Sequence, residues 1–118
     1  MIKSYEDLEI YQRAYKLALT IHRLTHKFPK YETYEIGSQI RRASLSVPLN
    51  IAEGYGKKVS SKDFKRFLNM ALGSCNEVNV LLNFIKDLNY INQNEYNQLI
   101  NQYSILGKMI YKLKVKWK

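Results

Sequence analysis

His22 and His26 stand four residues apart, a spacing that puts two imidazoles on one face of a helix where they could share a metal ion. No cysteine lies near them and no third ligand is on offer, so they read as ordinary surface histidines. Cys75 is the only thiol, and it falls at an apolar position where a small buried residue is expected. Glu53 and Glu77 are both carboxylates, but they fall on different helical segments, a weak basis for hydrolysis. Gly54 and Gly56 follow a helical pattern rather than a strand, with no Gly-Lys-Ser/Thr after them, so they do not make a phosphate-binding loop. No catalytic group, metal site or cofactor site assembles from these residues, and the chain reads as non-enzymatic.

The side chains left for chemistry are cations. Among 118 residues, 19 Lys and Arg face 10 Asp and Glu, a net charge of +9. That excess favours an acidic partner, nucleic acid first and an anionic membrane surface second. The placement is uneven. Lys57, Lys58, Lys62, Lys65 and Arg66 cluster with only Asp63 against them, and Lys108, Lys112, Lys114, Lys116 and Lys118 crowd the chain end with no acid among them. Tyr55, Tyr111 and Trp117 interleave with these lysines and offer faces on which unpaired bases could stack. Lysines in a last helical turn also complement the helix dipole, but one or two suffice for that. Arg41 and Arg42 could grip phosphates; Arg42 with Glu53 suits an ion pair between subunits equally well.

The elements that must position these groups are helices. Tyr96, Leu99, Tyr103, Leu106, Ile110, Leu113 and Trp117 recur at intervals of three and four, and so do Phe64, Leu68, Ala71, Cys75, Val78, Leu82 and Ile85. An earlier segment carries Leu8, Tyr11, Ala14, Ala18, Ile21, Thr25 and Phe28 on one face, and another carries Ile36, Ile40, Ala43, Val47 and Ile51. Phe28-Pro29 stops the first helix, because the residue before proline is pushed out of the helical region. Thr33 is placed to cap the second helix, and Gly54 and Gly56 to end it in the left-handed conformation. Ser60 with Asp63, and Asn92 with Glu95, have the spacing of N-terminal caps. Helices of roughly 20 to 28 residues joined by short links must lie antiparallel. The expected fold is all-α: one domain over residues 1–118, an antiparallel up-down-up-down four-helix bundle.

That topology puts the end of the second helix, the start of the third and the end of the fourth at one pole. Residues 57–66 carry +4 and residues 108–118 carry +5, while residues 1–9 return −2, so one end holds +7 of the +9. Pro48 sits inside the second helix, where proline typically costs about 3 kcal/mol; it bends the helix round the bundle or shapes a surface for a partner. Other residues do not fit a lone bundle. Leu45 and Leu49 lie opposite the seam of the second helix, with Arg42 and Glu53 on the same outer stripe. Met70, Val80, Leu81 and Phe84 are expected to point away from the seam of the third, where Glu77 is the only charge from Phe67 to Ile85. A helix apolar all round needs cover all round. A second copy of the chain is the simplest cover, through Arg42, Leu45, Leu49, Glu53, Val80, Leu81 and Phe84.

Nearly the whole chain resembles the small four-helix-bundle family that includes the proteins encoded in intervening sequences of bacterial large-subunit rRNA genes. The match is carried by Asp7-Leu8, Tyr11-Gln12-Arg13-Ala14, Phe28-Pro29, Ser38-Gln39-Ile40-Arg41-Arg42-Ala43, Asn50-Ile51-Ala52-Glu53-Gly54, Phe64-Lys65-Arg66-Phe67-Leu68, Gly73-Ser74 and Glu77. Tyr11 replaces a frequent tryptophan, and Glu35-Ile36-Gly37 departs from the usual approach to the second helix. The resemblance implies a homo-oligomeric ring, with a pentamer as the expected number, and a nucleic-acid role with RNA favoured. In fold and basic character the chain is also similar to accessory proteins of diversity-generating retroelements. The family supplies no catalytic residues to carry over.

Two functions therefore compete: a basic homo-oligomeric nucleic-acid-binding module, and a protein–protein scaffold that meets an acidic protein partner or carries its charge incidentally. The start of the chain lacks the apolar core of a signal peptide. No run reaches the ~18 apolar residues of a membrane span. A single cysteine suits a reducing compartment, so the cytoplasm is the expected location.

Overall fold

The computed structural model describes all 118 residues. Four α-helices and no strand make up the chain: α1 Glu9–Leu24, α2 Ile36–Gly56, α3 Ser61–Asp87 and α4 Gln93–Lys116. Short 3-10 turns at Tyr5–Asp7, Thr25–Lys27 and Lys30–Glu32 flank α1 and lead into α2. Successive helices pack against each other and α1 closes against α4, giving a body of 45 × 24 × 22 Å. The four seams read from the sequence meet at its centre. Ile40, Val47, Ile51, Phe64, Leu68, Val78, Leu82, Ile85, Leu106 and Ile110 are wholly buried, and Leu99 and Tyr103 nearly so.

The links follow from local chemistry. Ser60 Oγ accepts from the Asp63 amide at 3.2 Å and starts α3. Asn92 and Glu95 form a reciprocal capping box at the head of α4, with bonds of 2.8 and 3.0 Å. Between them α3 ends on Asn89 at φ 64°, a left-handed position that asparagine tolerates. The Tyr90 amide then bonds back to the Ile85 carbonyl at 2.9 Å, the Schellman closure.

Three expectations about helix ends are corrected. Thr33 does not cap α2: the N-cap is Glu35 and makes no side-chain bond. Instead Arg41, one turn inside α2, donates to the Thr33 carbonyl at 2.8 Å and to Thr25 Oγ1 at 3.0 Å, tying α2 to the turns that precede it. Nor do Gly54 and Gly56 end α2 in the left-handed conformation: the helix does stop at Gly56, but no glycine has positive φ. Gly54 is buried where α2 crosses α3; a Cβ there would lie 2.6 Å from Phe67 Cβ and 3.1 Å from the Phe64 ring. α1 is also shorter than expected, 16 residues, because its last turn tightens into 3-10 geometry before Pro29. Pro48 is buried in the packing while Val47 and Ile51 keep the seam.

The crossing at Gly54 generates a paired test. Gly54→Ala should destabilise the protein by about 1–3 kcal/mol in urea unfolding, the usual scale of overpacking. Helix propensity alone predicts a gain of up to ~1 kcal/mol, and Gly73→Ala, inside α3 with nothing within 4 Å of its Cβ, should show that gain.

Candidate nucleic-acid interface

The end of α2, the start of α3 and the end of α4 are held together by Phe64. Its ring is wholly buried, edge-on to Trp117 at 4.7 Å and to Tyr55 at 6.1 Å between centroids. Lys114 Nζ adds a donated bond to Asn69 Oδ1 at 2.9 Å, tying α4 to α3 just above that pole. The opposite pole is closed by Phe28 against Tyr90, by Tyr90 donating to Glu32 at 2.7 Å, and by the Lys27–Glu95 ion pair.

Around the Phe64 pole the cations stand free. Lys57, Lys58, Lys62 and Arg66 are exposed, as are Lys108, Lys112, Lys116 and Lys118, with Lys65 and Lys114 half-buried. The three ion pairs of the chain are Arg13–Glu9, Lys27–Glu95 and Lys86–Asp87, so none of these ten cations is neutralised within the molecule. Several lie over aromatic rings instead: Lys58 over Tyr55 at 4.3 Å, Arg66 over Phe67 at 4.7 Å and Lys114 over Tyr111 at 5.0 Å. Such contacts orient a cation without cancelling its charge. Lys108 lies about 12 Å back from Lys116 along α4 at ~1.5 Å per residue, so it and Lys112 line the α3/α4 groove rather than the tip.

The aromatic part of the expectation needs revision. Tyr55 is buried, and Trp117 is half-buried edge-on to Phe64, so both serve the core and neither presents a free face to a base. Only Tyr111 is exposed. Arg41 is likewise committed to the Thr33 carbonyl and Thr25, which removes it as a phosphate ligand.

The outer face of α2 and α3 is apolar and uncovered. Leu45 and Leu49 are exposed, with Val80, Phe84 and Met70 beside them; Leu49 and Phe84 keep 58% and 55% of their surface in solvent. Leu81 departs from the expected set: at 6% exposure it is part of the monomer core, because α2 covers that side of α3. Arg42 and Glu53 are both exposed and lie eleven residues, about 16 Å, apart on one helix, too far to pair within the chain.

Against this geometry the sequence was compared with known proteins. It matches the 23S rRNA-intervening sequence protein family over residues 6–112. The chain belongs to that family. A crystal structure of an S23 ribosomal protein family member of unknown function from Bacteroides thetaiotaomicron superposes with a TM-score of 0.81 at 24% identity, covering 89% of this chain and 97% of the other. At that identity the likeness speaks for the fold alone. No curated protein matches the sequence. The 23S rRNA-intervening sequence family thus accounts for the four-helix architecture, and it brings no catalytic assignment with it.

The remaining reactive groups have structural surroundings. No cluster of three or more His, Cys, Asp or Glu side chains could hold a metal, and His22 Nδ1 lies 3.1 Å from the Ala18 carbonyl of its own helix. No helix is long and apolar enough to cross a membrane. Burial pushes the Cys75 thiol up to about 12, so it stays protonated at neutral pH. Labelling of Cys75 by an aromatic disulfide at pH 8 should therefore be at least about a hundredfold slower in the native protein than in urea; equal rates would place the thiol at the surface.

Proposed function

We propose that this protein is a basic, homo-oligomeric nucleic-acid-binding module without enzymatic activity, acting in the cytoplasm, with RNA as the favoured partner. The observation that carries the reading is the convergence of ten cations, none of them in an ion pair, on and just above one pole, which stays strongly positive after Asp63 and the acids of residues 1–9 are counted. An unneutralised surface of one sign attracts a polyanion and releases its condensed counterions. The name of the matching family, 23S rRNA-intervening sequence protein, points the same way. Self-association supplies the rest of the reading. The outer faces of α2 and α3 pack on a second copy, Arg42 pairs across the contact with Glu53, and the copies close into a ring, with five as the expected number. A ring turns every subunit's basic pole to the same side and multiplies the field.

Replacing Lys57, Lys58, Lys62 and Arg66 with Ala should weaken binding to mixed RNA and DNA uniformly and flatten the dependence of log affinity on log salt. For the wild type, affinity should fall by orders of magnitude between ~50 and ~200 mM salt if six or more phosphates are contacted. Wild-type protein that binds neither RNA nor DNA at low salt leaves the scaffold reading, which the uncovered apolar face favours, in its place.

Leu49→Glu with Phe84→Glu should dissociate the assembly in sedimentation while the far-ultraviolet helical signal stays unchanged, since both side chains lie outside the core. A wild-type chain that sediments as a monomer at tens of micromolar refutes the oligomer.

A further inference from the structure

The largest concavity of the molecule is a groove of ≈ 960 Å³ between α3 and α4, within the range of small-molecule and cofactor sites. Its walls are mainly apolar: Leu72 from α3, and Ile100, Ile105, Met109 and Tyr111 from α4. Gly107 lies in the middle of α4 with ordinary helical geometry, where glycine costs about 1 kcal/mol relative to alanine. A Cβ at that position would come no nearer than 4.0 Å to Leu72, so the missing side chain leaves space across the groove.

Polar groups in the groove wall lack partners. Asn69, Asn76, Asn79 and Asn83 recur at intervals of seven, three and four, a stripe of amides along the α4 side of α3. The ends of the stripe are satisfied by α4: Asn69 accepts from Lys114 and Asn83 from the Tyr96 hydroxyl. The middle two, Asn76 and Asn79, line the groove. Asn79 Oδ1 and the hydroxyl of Tyr103, itself 99% buried, are closed from solvent without a hydrogen-bond partner. Leaving such groups unpaired costs about 1–3 kcal/mol each. Asn76 is exposed in the same wall and its side chain has no partner, so it is the amide an occupant can reach, with a donor and an acceptor on one edge. Beside these groups Lys108 and Lys112 stand one turn apart with no acid paired to them, continuing the positive charge of the pole up the groove.

We propose that the α3/α4 groove takes one unpaired nucleotide of the strand held at the lysine pole. The inference rests on the nucleic-acid reading of that pole and adds base contact to it. The faces of the base pack on Leu72, Ile105 and Met109, its hydrogen-bonding edge meets the exposed amide of Asn76, and its phosphate meets Lys108 and Lys112. A paired base has neither its faces nor that edge free, so the groove selects unpaired strands. The pole alone runs the other way, since a duplex carries the denser phosphate charge.

The test compares a mixed-sequence single-stranded RNA 12-mer with an abasic 12-mer carrying the same phosphates, and adds 5′-AMP as a free probe followed by methyl NMR of Leu72, Ile105 and Met109. The base-containing strand should bind at least about tenfold tighter than the abasic one, the scale of one stacked base. Gly107→Leu, which fills the groove while improving helix propensity, should erase that difference and leave abasic binding and its salt slope unchanged. Asn76→Leu should shrink it. AMP should shift the three methyl signals in the wild type and not in Gly107→Leu. Equal affinity for the two strands, or a difference that survives Gly107→Leu, overturns the groove while the pole stands. If neither strand binds, the pole reading falls and the AMP titration alone decides: shifted methyls keep the groove as a nucleotide site, and unshifted methyls remove it. Methyl signals that respond only to protein concentration assign the groove to a second copy of the chain.

Discussion

The ring of Phe64 holds together three helix ends that their charges would drive apart. It is buried under Gly54, edge-on to Tyr55 and Trp117, so one aromatic side chain touches α2 and the end of α4 from its seat on α3. Gathering unpaired cations at one end raises the folded state through self-repulsion. Apolar burial and edge-to-face ring contacts, worth about 0.5–1.5 kcal/mol each beyond area, act against that repulsion at the same spot. Lys58, Arg66 and Lys114 contribute too, by lying over Tyr55, Phe67 and Tyr111, where a cation keeps its charge and still meets the electron-rich ring face. The missing Cβ at Gly54 is what lets α2 descend far enough for this arrangement.

The fold was legible in the sequence because every seam repeats at three and four, and the links into α3 and α4 carry their own caps. Val78, Leu82, Leu99, Tyr103, Leu106 and Ile110 lie where the periodicity put them. The errors share a physical origin. Periodicity says which face of a helix turns inward, but not how far a neighbour reaches round its flank. Leu81 precedes Leu82 by about 100° on the wheel, and α2 covers that extra arc. The two glycines ending the α2 pattern suggested a left-handed stop, yet Gly54 answers to the helix that crosses it, whose Phe64 and Phe67 lie further along the chain than a local rule reaches. Thr33 has cap chemistry, but it closes the preceding 3-10 turn with helical backbone angles, two residues short of the N-cap of α2.

The candidate site was legible in its charge and not in its shape. Clusters of lysine can be counted along a chain, and two short links suffice to bring them to one pole. Which aromatics remain free cannot be counted in that way. Tyr55 and Trp117 were placed beside the lysines correctly, but the same proximity buries them against Phe64. The groove left a fainter trace: a glycine within the α4 seam pattern, and asparagines spaced along α3 at helical intervals on a flank where a bundle helix ordinarily carries charge or apolar bulk.

α3 explains why these features occur together. It packs on α2 through one flank and on α4 through the other, and its outer side carries Val80 and Phe84 into solvent. A helix with demands on every side has little room for charge, and from Phe67 to Ile85 only Glu77 is charged. Asparagine is the compromise on the α4 flank: it bonds to α4 at the exposed ends of the stripe, as Asn69 and Asn83 do, without the desolvation cost of an ion. Where Gly107 leaves α4 without a side chain the groove opens beside Leu72, and Asn76 lines it with no bond from α4.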